Sequence, residues 1–196
     1  MAGRKRPVGA LLLTPGAGSS KDHASLLAIE AAVAPLPVAR RNFPYRKEGR
    51  KAPDRAPKLL ASVVADAADL VAEAHITPRR LALGGRSMGG RICSMAVAEG
   101  LPAAALVLIS YPLHPPAKPE KLRIEHLPAL AVPCLFVSGT RDAFGSPAEL
   151  EHHTAAIAGP VTHHWVEGKG HDLKGADAEI AAVVRDWLRS LSINVV

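Results

Sequence analysis

The sequence predicts a three-layer α/β fold: a mostly parallel sheet of six strands with helices on both faces. Three observations lead there. Short apolar runs alternate along the whole chain with longer stretches of helical period. The strand-like runs are apolar at successive positions, as strands covered on both faces require. The two long patternless stretches each follow a strand, where connections at the ligand-binding edge of an open α/β sheet fall.

The elements follow in chain order. Residues 8–14 read as the first strand, apolar throughout, and 22–34 as a helix. Residues 38–41 form a weaker strand. In the helix 58–75, Leu60, Val63, Val64, Ala67, Leu70, Val71 and Ala74 recur at i, i+3, i+4. Residues 81–84 are a strand and 88–99 a helix stopped by Gly100. Strands at 105–110 and 134–138, a helix at 147–158 and a short strand at 163–166 come next. The helix 176–191 gathers Ile180, Val183, Val184, Trp187, Leu188 and Leu191 on one face. The patternless stretches are 42–57, rich in Pro and basic residues, and 111–133, also Pro-rich. Neither has the length or period of a large lid, so both are expected to wall an open, shallow cleft.

Bulk properties narrow the function classes. A chain of 196 residues reads as one domain, 1–196. Its 48% apolar and 21% charged content excludes a disordered chain. With only 4% aromatics the core must be mostly Ala, Val and Leu. The formal charge of +6 raises nucleic-acid binding. However, the basic residues are dispersed except at Arg4-Lys5-Arg6 and between Arg40 and Lys58, and neither cluster has interleaved aromatics or a nucleic-acid module's signature. Attraction of an anionic substrate is the milder reading. Cys93 and Cys134 lie in apolar runs and read as buried free thiols, which fits a reducing compartment and a cytoplasmic home. Residues 8–13 are too short for a signal-peptide core, and no stretch approaches the roughly 18 apolar residues of a membrane span.

The chemistry centres on Gly85-Arg86-Ser87-Met88-Gly89, a G-x-S-x-G between a strand and a helix. A serine on such a sharp turn is lifted clear of the sheet, and the flanking glycines avoid collisions across it. The helix N-terminus beneath favours a developing anion. A hydroxyl needs a base, and His171 in Gly168-Lys169-Gly170-His171-Asp172 sits where the order Ser…Asp…His puts it. His152, His153, His163 and His164 fall within a helix and a strand and read as packing or surface residues. Asp142, closing Val137-Ser138-Gly139-Thr140-Arg141-Asp142, is the acid that would orient the imidazole. Asp172, adjacent to the histidine, is a poorer candidate.

An oxyanion needs two backbone donors. Met88, after the serine, supplies one; Thr14-Pro15-Gly16-Ala17-Gly18 supplies the other, through Ala17 or alternatively Gly16. Arg86 and Arg91 flank the turn. Arg86 reads either as a substrate-orienting cation or as half of a structural ion pair. His114, in Tyr111-Pro112-Leu113-His114-Pro115-Pro116, reads as a pocket residue or as loop packing. The rim is expected to carry Arg86, with Arg46 or Lys47. No His/Cys/Asp/Glu spacing suggests a metal, and no cofactor is expected.

Gly84-Gly85-Arg86-Ser87-Met88-Gly89-Gly90-Arg91, Ser110-Tyr111-Pro112-Leu113-His114-Pro115 and Leu135-Phe136-Val137-Ser138-Gly139-Thr140-Arg141-Asp142 together resemble small α/β-hydrolases of the dienelactone-hydrolase-like group. Within it they look most like the branch containing testis-expressed hydrolase-like proteins and the hydrolase domain of a histone-acetyltransferase-complex subunit. The resemblance spans about Val8 to Leu191. It implies Ser87, Asp142 and His171 as a triad, and a sheet in the order 2-1-3-4-5-6 by this chain's own strands. Three departures accompany it. Dienelactone hydrolases proper use cysteine where Ser87 stands, many hydrolases have His-Gly where Pro15-Gly16 stands, and the two N-terminal strands of the family sheet have no expected counterpart before Val8. Two function classes follow: a serine hydrolase acting on small-molecule esters or thioesters, or a binding or scaffolding protein with a vestigial triad. The intact triad in the right order favours the enzyme. Oligomeric state is not readable.

Overall fold

The computed structural model describes residues 4–191 and 193–195. The strands are β1 (Arg4–Arg6), β2 (Ala10–Thr14), β3 (Val38–Arg40), β4 (Leu81–Arg86), β5 (Ala105–Ile109), β6 (Cys134–Gly139), β7 (Val161–Val166) and β8 (Ile193–Val195). The helices are α1 (Ala24–Val33), α2 (Pro44–Lys47), α3 (Ala56–Glu73), α4 (Met88–Ala98), α5 (Pro147–Thr154) and α6 (Asp177–Ser190). Six strands form one sheet in the order β3-β2-β4-β5-β6-β7, every neighbouring pair parallel. This is the expected order of the six strands read from the sequence.

The two-residue period of the strands divides the core between the faces. Leu11, Leu13, Ala82, Val107, Ile109, Leu135 and Val137 join Leu26 and Ile29 of α1 and Ile180, Val184 and Leu188 of α6. Leu12, Leu83, Leu106, Leu108 and Phe136 join Val63, Ala67 and Leu70 of α3 and Ile92, Cys93 and Ala96 of α4. Both faces are covered, which explains why the strands read as unbroken apolar runs. Both cysteines are free and buried, and burial pushes each thiol up to about 12.

Among the described residues no strand before residue 8 joins the main sheet, as expected, but one is present outside it: β1 pairs antiparallel with β8, placing Arg6 opposite Ile193, in a small separate sheet. Three basic residues carry no period that would reveal it, and its partner lies at the other end of the chain. The stretch 42–57 is not wholly irregular, because Phe43-Pro44 opens the short α2 and buries Tyr45. Proline at the first helical position is the local cause.

Among the described residues no helix is long and apolar enough to cross a membrane. Among the described residues no loop forms a large lid over the sheet.

Phe136 tests this packing. It is fully buried, edge-on to Tyr111 at 5.6 Å and 5.3 Å from the His163 ring. Phe136→Ala should lower unfolding stability by about 3–5 kcal/mol, measured by urea denaturation. A loss below about 1 kcal/mol would contradict a close-packed centre at this layer.

Candidate active site

β4 ends at Arg86 and α4 begins at Met88, so the change of direction falls on Ser87. Its backbone sits at φ 51°, ψ −119°, outside the regions ordinary L-residues populate. The strain is held by pairing on both sides. The Ser87 amide donates to the Ile109 carbonyl at 2.8 Å, and its own carbonyl accepts the Arg91 amide at 3.1 Å. Gly89 is required by a close approach: a Cβ there would stand 2.5 Å from the Thr14 carbonyl oxygen and 2.6 Å from that of Pro15. The collision is thus with the end of β2, not within the turn itself.

The loops after β6 and β7 are stitched together. Thr140 N–H donates to the Val166 carbonyl at 3.2 Å, Arg141 N–H to the Lys169 carbonyl at 2.9 Å, and Gly168 N–H to the Thr140 hydroxyl at 2.8 Å. This brings Asp142 and His171 together. The Asp142 side chain is 1% exposed, and its Oδ1 accepts the Phe144 amide at 2.8 Å. His171 Nδ1 lies 2.8 Å from Asp142 Oδ2, and Nε2 lies 2.8 Å from Ser87 Oγ. An ionised carboxylate only accepts, so Nδ1 carries the proton and Nε2 accepts the serine hydroxyl. Phe144 stacks on the imidazole, centroids 3.9 Å apart at 27°, and fixes the ring plane. Asp172 points elsewhere: it is exposed and accepts the Lys174 amide in a local turn.

Ser87 opens into a cavity of about 620 Å³ bordered by Gly16, Ala17 and Met88. Among the described residues, no hydrogen bond within the protein claims the amide of Ala17 or of Met88. The Ala17 carbonyl accepts the buried Tyr45 hydroxyl at 2.8 Å, which anchors this loop from α2.

The remaining expectations divide. Arg86 borders the cavity but is 8% exposed and occupied: Nη2 donates to the His171 carbonyl at 2.9 Å, and Nη1 meets the His23 ring. Burial, then the Arg86 charge, pushes His23 below the usual histidine range, so it receives the guanidinium as a neutral ring. Arg86 therefore tethers the His171 loop to the body of the protein. His114 does not border the cavity. It is 5% exposed, its amide donates to the Phe144 carbonyl at 3.1 Å, and Nε2 faces Glu149 at 3.4 Å. Packing behind the Asp142 loop is its role, because Pro112 rather than His114 turns toward the opening. Arg46 and Lys47 are likewise absent from the rim, where Arg91 and Arg123 stand instead. Arg91 has a sequence signal, since it follows Ser87 by one helical turn. Phe144, Tyr45 and Arg123 have none, coming from irregular loops and a four-residue helix. Among the described residues no group of three or more His, Cys, Asp or Glu is placed to hold a metal ion.

A parallel sheet with a serine raised on the turn after a central strand, and an acid and a histidine on later loops, defines an α/β-hydrolase architecture. The chain belongs to that family: the model of the alpha/beta hydrolase domain matches residues 7–186. Solved structures agree in fold. Est1E from Butyrivibrio proteoclasticus superposes with TM-score 0.73 at 13% identity, over 93% of this chain and 88% of that one. An alpha-beta serine hydrolase homologue from Coxiella burnetii gives 0.74 at 16% identity, over 95% and 87%. The esterase domain of a Rhodothermus marinus protein gives 0.69 at 16% identity, over 94% and 88%.

Tyr45→Phe isolates the anchor of the Ala17 loop. It deletes one hydroxyl and leaves a carbonyl without its donor, so stability should fall by about 1–2 kcal/mol in chemical denaturation. An unchanged midpoint would mean that water replaces the phenol at no cost.

Proposed function

We propose that the protein is a serine hydrolase of small ester or thioester substrates, working through an acyl-enzyme on Ser87. The observation that carries this reading is the unbroken hydrogen-bond chain Ser87 Oγ–His171 Nε2, His171 Nδ1–Asp142 Oδ2, ending at a serine of strained backbone that faces a cavity. Ser87 Oγ attacks the substrate carbonyl carbon while its proton passes to Nε2. Asp142 stabilises the imidazolium. The oxyanion takes the amides of Ala17 and Met88, aided by the N-terminal end of α4. Collapse expels the alcohol or thiol, which takes the proton from Nε2. Water then attacks the acyl-enzyme with His171 again as base, and the carboxylic acid leaves.

A cavity of about 620 Å³ is in the range that holds small molecules. Within the family we place the chain nearest the dienelactone-hydrolase-like group, on the three motifs quoted above. We also take residues 1–196 as a single domain, and the buried thiols support a cytoplasmic setting.

Ser87→Ala should abolish p-nitrophenyl acetate turnover and labelling by a fluorophosphonate probe while leaving the melting temperature near that of the parent. Parent protein that takes no label at Ser87 would favour the alternative, a binding module with a vestigial triad. Asp142→Asn should lower kcat by on the order of 10⁴, as in serine proteases; a larger loss in Asp172→Asn would misplace the acid.

A further inference from the structure

We infer that Arg91 and Arg123 form a carboxylate-binding subsite in this cavity, so that the substrate is an ester carrying a negative charge a few carbons from the scissile bond. The inference rests on the hydrolase reading above and names its substrate class. Arg91 lies in the first turn of α4, its amide bonded to the Ser87 carbonyl at 3.1 Å. Arg123 comes from the 111–133 loop. Its backbone is pinned on both sides, its amide donating to the Leu113 carbonyl at 2.9 Å and its carbonyl accepting the buried Tyr111 hydroxyl at 2.8 Å. Both residues border the cavity together with Ser87 and His171.

Their charges are uncompensated. Among the described residues, neither guanidinium has a carboxylate oxygen within 4.0 Å, whereas Arg40, Arg41, Arg50 and Arg185 each have at least one. Arg91 Nε is buried without a hydrogen-bond partner, and Arg123 reaches only the Pro112 carbonyl, at 3.5 Å. Burial, then the charge of Arg91, lowers Arg123; the same two causes push His126 down to about 4. Among the described residues Asp54 is the one carboxylate on the cavity wall, and its Oδ1 is already shared by Arg50 at 2.7 Å and Lys58 at 3.4 Å. The third cationic wall residue, Arg86, is used by His171 and His23.

Two guanidinium groups held near each other in a partly dehydrated wall repel, and each leaves donors unused. A bound carboxylate relieves both costs, because planar guanidinium groups present paired N–H donors that match its two oxygens. Neighbours one helical turn apart have Cβ atoms about 5–6 Å apart, so a carboxylate held by Arg91 sits a short spacer away from a carbonyl at Ser87. The charge can belong to the acyl group or to the leaving group.

Two substrate pairs distinguish these sources: p-nitrophenyl hemiglutarate against p-nitrophenyl pentanoate, and 4-acetoxybenzoate against phenyl acetate, each corrected for its rate with hydroxide. The parent should favour the anionic member of at least one pair by about tenfold or more in kcat/KM. Arg91→Gln and Arg123→Gln should each reduce that ratio, while Arg185→Gln, a surface change outside the cavity, should not. Calorimetry adds a readout independent of turnover: glutarate should bind Ser87→Ala protein, and binding should be lost when both arginines are also replaced by Gln. Turnover without preference in either pair, and without glutarate binding, overturns the subsite and leaves the hydrolase reading standing. Arginine-dependent glutarate binding by a protein that hydrolyses none of the four esters supports the subsite and overturns the hydrolase reading.

Discussion

The site depends on the contact between the end of β2 and the turn at Ser87. Thr14 is buried, and its hydroxyl donates to the Gly84 carbonyl at 3.2 Å and lies 3.5 Å from the Cys93 sulfur. That one side chain joins β2, β4 and α4 at the point where the chain reverses. Gly85 and Gly89 let the backbones close onto it, since a Cβ at either would strike the Thr14 carbonyl oxygen. The positive φ of Ser87 costs on the order of 1–3 kcal/mol and persists only where the surroundings over-determine it. Here they do, through β2 on one side and the Ile109 carbonyl of β5 on the other. The same contact sets the loop after β2 beside the serine, so the strained turn and the loop that borders it share a single structural cause.

The second half of the site is assembled by β6 and β7. Their parallel pairing runs through Gly139 opposite Val166, so both following loops leave the sheet side by side. Gly139 has no room for a side chain against the Lys169 carbonyl. Asp142 and His171, 29 residues apart in sequence, meet because two short loops leave adjacent strand ends. Phe144 then covers the imidazole from the Asp142 loop, making one loop both the electrostatic and the steric support of that ring.

The fold was legible because its signals are periodic. Unbroken apolar strands and the 3.6-residue repeat of α3 and α6 persist over many positions, and burial on both faces of the sheet explains them. Ser87, Asp142 and His171 could be proposed as a set because each stands at a fixed offset from a strand end. Residues whose placement rests on irregular backbone were opaque. His114 follows β5 as a pocket residue would, yet the proline-rich chain turns it inward behind the Asp142 loop, with Phe144 and Glu149 as its partners. Arg123 reaches the cavity from within the 111–133 loop, whose path no period describes. Arg86 borders the cavity, but its tethering contact was not legible, because its acceptor is a backbone carbonyl, which has no residue identity to find.

That tether places a permanent buried cation against the loop carrying the imidazole that takes a proton in the proposed mechanism. The Arg86 guanidinium holds the His171 carbonyl at 2.9 Å. Burial lowers Arg86, while Asp172, Asp177 and Asp142 act in the opposite sense and keep it charged. Of those three carboxylates, Asp142 alone also bonds the imidazole, with its side chain almost wholly withdrawn from water. Asp172 and Asp177 offset the Arg86 charge ahead of Asp142, whose carboxylate is committed to the His171 ring. That interaction is strong because water is excluded around it, so a buried arginine can fix the loop without drawing the histidine's own partner away.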